Sequence, residues 1–216
     1  MPTFVRVTPP AKSVISLEDA KDRINVQHTD KDSDIQLCID AATAYLDGRD
    51  GVLGRAMITQ TWRVDGFNFW DDTTRGDPLY YGAYGNQAVF GPQQLRLSPV
   101  PVASIVDVKY YDKDNVQQTL APQTYQLLSD GLSSYVALAP GQTWPSVYWR
   151  RDAVTVTFVA GYGPNPSDVP ASLRMAVCMM VGHHMQNTDA VIAGMRAVAI
   201  EVPLGVYALI APLCVK

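Results

Sequence analysis

The spacing of hydrophobic positions changes twice along this chain of 216 residues. Between Ile35 and Leu46 the apolar residues recur at the interval of one helix face. From about Arg55 apolar and polar residues alternate in short runs, and the helical interval returns after Pro170. We therefore predict an α+β fold, in which N- and C-terminal helices form an α-helical bundle. An antiparallel β-module, a small sandwich or barrel, is inserted between them.

Residues 1–54 are predicted to supply the N-terminal helices of the bundle. Ser16 is suited to cap the first helix, because acidic residues follow it at the positive end of the helix dipole. The second helix extends to about Leu46 and is followed by Gly48, a residue common just after helix ends.

Residues 55–163 are predicted to form the inserted β-module. Val154, Val156 and Phe158 alternate with threonines, as in a strand with one buried face. The strands expected before that one are Ile58–Val64, Leu95–Leu97, Ser104–Tyr111, Val116–Leu120, Tyr125–Leu128 and Tyr135–Leu138. Residues 67–92 have no clear period, so we expect a long loop or an irregular hairpin within the module.

Residues 164–216 are predicted to supply the C-terminal helices that complete the bundle. After Pro170 one helix face carries Leu173, Ala176, Val177, Met180, Val181 and His184. Because this helix is apolar on more than one side, part of it is expected to meet another subunit. The residues predicted for that subunit interface are Met175, Cys178, Met179 and Met185. A short closing helix is expected from Pro203 to Ala211.

Composition and charge exclude several classes of protein. The chain is 47% hydrophobic and 18% charged, as expected of a globular protein, and its net charge of -4 shows no footprint for tight nucleic-acid binding. It has no apolar run long enough to span a membrane and no secretory signal pattern. The three cysteines, Cys38, Cys178 and Cys214, are expected to be reduced thiols in a protein made in the cytoplasm.

Candidate chemistry is sparse. We find no nucleophile elbow, phosphate-binding glycine loop or zinc-protease motif, so the sequence predicts neither an enzyme nor a cofactor. His183 and His184 are neighbours that point about 100° apart on a helix, so they are not spaced to bind one metal ion. Asp71, Asp72 and Asp77 lack the alternate spacing of a calcium loop.

Residues 67–92 are rich in aromatic side chains: Trp70, Tyr80, Tyr81, Tyr84 and Phe90. Aromatic residues spaced by glycines are typical of contact surfaces, because rings bury much area with few rotatable bonds. The same rings are equally suited to cover the end of the β-module. Contact with a partner and simple cover therefore both stay open, and carbohydrate binding is a third interpretation.

Several blocks, in this order, resemble the head–tail connector (adaptor) proteins of tailed bacteriophages. They are ISLEDAK, AATAYLDGRDGVLGRAMITQTW, QLRLSPVPVASIVDVKYYD, TYQLLSDG, GQTWPSV, AVTVTFVAGYG, DVPASLRMAV and VPLGVYALIAPL. The order of the blocks, more than any one of them, carries the resemblance over almost the whole chain. Residues 67–92 depart from it, because this segment is longer than usual in the family.

The resemblance implies a structural protein of the virion neck with no enzyme activity, made in the host bacterial cytoplasm. Family members form a homo-oligomeric ring, commonly of twelve copies, which docks beneath the portal protein and receives a stopper or tail-completion protein. DNA passes through such a ring without sequence-specific binding. By analogy the portal-docking residues are Val202, Leu204, Val206, Tyr207, Leu209, Ile210 and Leu213.

Two alternatives remain at this stage. One is a ligand- or carbohydrate-binding β-domain that uses the aromatic loop of residues 67–92. The other is a different neck protein such as a stopper, which would contact the adaptor rather than the portal.

Overall fold

The computed structural model describes residues 2–67, 95–130, 133–186, 191–192, 198–199 and 204–215. The helices are α1 (Leu17–Ile24), α2 (Asp32–Leu46), α3 (Ala171–Gln186) and α4 (Leu204–Ile210). The strands are β1 (Thr3–Thr8), β2 (Gln60–Phe67), β3 (Leu95–Leu97), β4 (Val102–Tyr111), β5 (Gln117–Thr119), β6 (Tyr125–Ser129), β7 (Ser134–Leu138), β8 (Val154–Ala160), β9 (Val191–Ile192) and β10 (Val198–Ala199). This element order confirms the predicted α+β class.

The chain divides into two units, each assembled from separate stretches of sequence. The β-unit contains residues 1–8, 61–98 and 102–159, and the helical unit contains residues 9–60, 99–101 and 160–216. The observed boundaries thus differ from those predicted at 54/55 and 163/164. The first eight residues also need correcting, because β1 is a strand of the β-unit and not part of a helical segment.

The described strands of the β-unit form two sheets. The larger has the order β1-β2-β8-β4-β5 and the smaller the order β3-β7-β6. β1 pairs antiparallel with β2, β4 with β5, and β7 with both β3 and β6. Along β8 every second residue is buried, so Val154, Val156 and Phe158 face the core as predicted.

The edge strand β1 was missed by the sequence prediction. Its residues are mostly exposed, and its register on β2 shifts between Arg6 and Thr8, as at a β-bulge. The guanidinium of Arg6 lies 5.0 Å from the centroid of the Trp62 ring, which supports the strand through a cation–π contact. The run of β-branched residues was visible in the sequence, but its pairing partner lies more than fifty residues away.

The helical unit is built around one face of α3. Leu173, Ala176, Val177, Met180 and Val181 of that face are buried, and α3 packs on α1, α2 and α4. From α2 the buried residues are Ile35, Ile39, Ala42 and Leu46. The predicted Ser16 cap is confirmed, because its Oγ accepts a hydrogen bond from the Asp19 amide at 3.0 Å.

The prediction that His184 belongs to the buried face of α3 is wrong. Its side chain is exposed, and the buried face ends at Val181. Partial desolvation of the ring, together with the neighbouring His183, lowers the pKa of His184.

Candidate interaction surfaces

The residues predicted to dock on a portal divide into two groups on α4. Leu204 is 85% exposed and Tyr207 is 44% exposed, so both are open to a partner. Val206 and Ile210 were also predicted to dock on the portal, but they are fully buried in the core of the helical unit and hold α4 in place. Leu209 and Leu213 are partly buried against the same core, and Val202 lies outside the described residues.

Polar contacts attach α4 and the following residues to the rest of the helical unit. Arg55 Nε donates to the Leu213 carbonyl, and the Val215 amide donates to the Leu53 carbonyl at 3.0 Å. A side-chain hydrogen bond with Tyr207 of α4 raises the pKa of Tyr45 on α2. Residues 204–215 therefore have a defined position against α2 and the loop that follows it.

The four residues predicted for a subunit interface lie largely against their own unit. Met185 Sδ lies 3.7 Å from the Cys38 thiol on α2, and Cys178, Met179 and Met185 are partly buried on the core. Met175 is 38% exposed, and its sulfur accepts from Arg23 Nη2 at 3.3 Å. The helix α3 is apolar on more than one side, and a neighbouring subunit was expected to cover the second side. Helices α1, α2 and α4 of the same unit pack on α3 and cover part of this apolar surface.

Cys178 and Met179 nevertheless reach the surface in a groove between α1 and α3, which we call the α1–α3 groove. Its volume is about 310 Å³, and its lining residues are Arg23, Ile24, Asn25, Cys178, Met179, Gly182, His183 and Gln186. Partial burial raises the pKa of the Cys178 thiol, so the thiol is protonated at neutral pH and behaves as an apolar group. The groove is therefore lined by both polar and sulfur-containing side chains.

The most exposed aromatic residue that the structure describes was not singled out by the sequence analysis. Trp149, on the segment before β8, is 91% exposed, whereas Trp62 and Trp144 are 4% and 7% exposed. The adjacent Tyr148 is 43% exposed. Large aromatic side chains are normally well buried, so the exposed Trp149 and Tyr148 form a candidate contact surface. No sequence pattern distinguishes Trp149 from the buried tryptophans.

Other predicted site residues cannot be placed. Trp70, Tyr80, Tyr81, Tyr84 and Phe90 lie outside the described residues, as do the three aspartates of the same segment. In the part of the chain that is described, no three His, Cys, Asp or Glu side chains are grouped to hold a metal ion. No helix there is long and apolar enough to cross a membrane.

Comparison with solved structures shows the same fold in the necks of phage-like particles. A chain of the neck of an empty gene transfer agent (GTA) particle, computed with C6 symmetry, matches with a TM-score of 0.71 and 20% identity. A chain of the native GTA neck computed with C12 symmetry gives 0.66 and 19%, and one from the native GTA virion gives 0.69 and 20%. Each match covers 99% of this chain and 96% of the other.

No protein-family model matches the sequence, and no curated protein matches it. The structural matches span both units of the chain, and at this level of identity they establish a shared fold.

Proposed function

We propose that this chain is a structural protein of a virion neck, a head–tail connector (adaptor) that forms a ring beneath the portal. The observation that carries the proposal is the fold match over 99% of the chain to a neck chain of a GTA particle. The ring would serve as the platform for a stopper or tail-completion protein and as a conduit for DNA. No catalytic role is proposed.

Two further observations support a ring. The similar GTA necks were computed with C6 and C12 symmetry, and rotational symmetry of that kind arises when copies of a chain repeat around an axis. The resemblance of the sequence blocks to connector proteins points to the same class from the residues alone. A net charge of -4 also suits a conduit that DNA should pass without binding tightly.

Within this proposal, the exposed side of α4 is the portal-docking surface. Leu204 and Tyr207 present apolar area to solvent, and their backbone is held by the buried Val206 and Ile210. Leu209 and Leu213 add partly exposed area next to them. The buried side of α4 already fixes the helix backbone. Docking through its exposed apolar side would therefore cost little conformational entropy.

The test is the mass of the purified chain in solution, measured by light scattering with and without the portal ring of the same particle. We expect the chain to join the portal as a multi-copy complex. A chain that ignores the portal but joins a preformed adaptor ring would instead be a stopper, and a chain that ignores both would contradict a neck role.

A pair of variants locates the docking surface. Leu204→Asp combined with Tyr207→Asp should abolish portal binding, because it places two charges in an apolar contact. Leu37→Asp is the matched control, since Leu37 is 69% exposed on α2 and its charge should leave portal binding unchanged. Unchanged binding by the double variant would exclude this side of α4.

A further inference from the structure

The exposed hydrophobic residues of α4 have exposed hydrophobic neighbours on α2 and in the loop after it. Tyr45 and Val52 are 38% and 40% exposed, although both carry large hydrophobic side chains. A side-chain hydrogen bond joins Tyr45 to the exposed Tyr207 of α4. Leu204 lies three residues before Tyr207, so the two are neighbours on the surface of that helix. We call these four residues the α2–α4 surface.

The loop after α2 holds Val52 beside Tyr45. The Val52 amide donates to the Tyr45 carbonyl at 2.9 Å, and the Leu53 amide donates to the Leu46 carbonyl at 3.3 Å. Gly51 permits this close return of the chain, because a Cβ there would lie 2.5 Å from the Leu46 carbonyl oxygen. The side chains of Leu46 and Leu53 are fully buried, which attaches the loop to the core. Val52 therefore has a defined place at the end of α2.

The same loop holds the residues that follow α4. The Val215 amide donates to the Leu53 carbonyl at 3.0 Å, and a Cβ added at Gly54 would lie 3.3 Å from Val215 Cβ. The nearly buried Arg55 donates from Nε to the Leu213 carbonyl. The end of α2, its loop and the α4 segment thus form one packed part of the helical unit. Their exposed side chains are held in place from behind.

The chemistry of the α2–α4 surface indicates the kind of partner that it fits. Tyrosine offers a large contact area with few rotatable bonds, and it is enriched among the residues that dominate the energy of protein interfaces. The exposed charges in the loop, Arg49 and Asp50, are of opposite sign, and Arg49 Nη1 lies 3.7 Å from Asp50 Oδ1. The surface therefore suits an apolar protein surface better than a strongly charged partner such as DNA.

We propose that Tyr45 and Val52 extend the portal-docking surface from α4 onto α2 and its loop. The inference rests on the adaptor role and on the docking side of α4 proposed above. Because Tyr45 is hydrogen-bonded to Tyr207, a portal surface that covers Tyr207 also reaches Tyr45. Val52 adjoins Tyr45 through its backbone, so it lies at the edge of the same contact. The portal is expected to meet these residues with apolar side chains.

Photo-cross-linking tests which molecule covers this surface. Val52→p-benzoylphenylalanine replaces a side chain at the surface and reacts on illumination with C–H bonds close to it. We expect a cross-link from position 52 to the portal in the assembled complex. The control carries the same residue in place of Leu37, which is exposed on α2 and should give no cross-link to the portal. A cross-link from position 52 to another copy of this chain, and none to the portal, would overturn the proposal.

Substitutions provide a second test. Tyr45→Ala and Val52→Asp should each weaken portal binding on the order of tenfold or more, by removing contact area or by placing a charge in an apolar contact. Leu37→Asp is the matched control, because it adds the same charge at another exposed position of α2. Melting temperatures show whether the variants fold, and the cross-link from position 52 decides the question for any variant that does not.

The outcomes separate this extension from the proposed function. If the wild-type chain joins the portal, Leu204→Asp with Tyr207→Asp abolishes binding, and Tyr45→Ala and Val52→Asp bind like wild type, docking is confined to α4. The extension is then wrong and the adaptor role stands. If the wild-type chain ignores the portal, the adaptor role fails and the extension fails with it.

Discussion

Asp47 and Gln60 are joined by two buried hydrogen bonds in the helical unit. Gln60 Nε2 lies 3.0 Å from Asp47 Oδ2 and 3.2 Å from Oδ1, and the Met57 amide donates to Oδ1 at 2.7 Å. The Asp47 and Gln60 side chains are almost fully buried. The pair connects the end of α2 to the start of β2, where the chain passes from helices to strands.

Asp47→Ala should lower the free energy of unfolding by about 2–4 kcal/mol, because it leaves the Met57 amide and the Gln60 side chain buried without this acceptor. Chemical denaturation measures the change. Asp50→Ala is the control, since the Asp50 side chain is 92% exposed and its loss should change stability by less than about 0.5 kcal/mol. Equal effects of the two substitutions would contradict a structural role for the buried carboxylate.

Gly161→Ala should destabilise the protein more than Gly141→Ala. Both glycines have positive φ angles, +133° and +76°, so any side chain adds backbone strain on the order of 1–2 kcal/mol. At Gly161 a Cβ would also lie 2.7 Å from the backbone of Ile58, whereas at Gly141 it meets nothing within 4 Å. Thermal unfolding of both variants checks the order, and a larger loss at Gly141 would show that the contact with Ile58 is unimportant.

Ile210→Ala and Leu204→Ala should separate the two sides of α4. Ile210 is fully buried, so truncating it should cost about 2–5 kcal/mol of stability. Leu204 is 85% exposed, so its truncation should leave the unfolding curve within about 0.5 kcal/mol of wild type and weaken portal binding. Urea denaturation and a portal pull-down measure the two effects, and a stability loss at Leu204 would place that side chain in the core.

Asp152→Asn should remove an acid-sensitive part of the stability. The hydrogen bond from Arg150 lowers the pKa of Asp152, so the folded state favours the carboxylate. Its contribution is present above the unfolded pKa of about 3.9 and is lost as the pH falls through the lower folded pKa. Urea midpoints from pH 7 to pH 2 should show the variant less stable near neutrality and the difference vanishing in acid. A difference that persists at pH 2 would rule out the ion pair as its cause.

The titration of Asp112 does not affect this comparison between wild type and Asp152→Asn. Its pKa is also lowered, chiefly by the hydrogen bond from Gln118, but it is present in both proteins and its contribution cancels.

Elements whose signals are local were predictable from the sequence. The alternation of Val154, Val156 and Phe158 and the helical interval after Pro170 identified β8 and α3, because burial of one face imposes a period on the residues themselves. Two neighbouring glycines are required for different reasons. Gly161 has a positive φ of +133°, whereas at Gly163 an added Cβ would lie 2.4 Å from Asp168 Oδ2, so that site requires space and not an unusual φ.

Burial against distant elements was decided only by the tertiary structure. Val206 and Leu204 are both apolar and two residues apart on α4, yet one is fully buried and the other is 85% exposed, because only one side of α4 packs on α3. The exposure of Trp149 depends likewise on where the rest of the chain lies. A periodic pattern records that a side chain prefers burial, whereas the surface it meets is set by contacts between residues far apart in sequence.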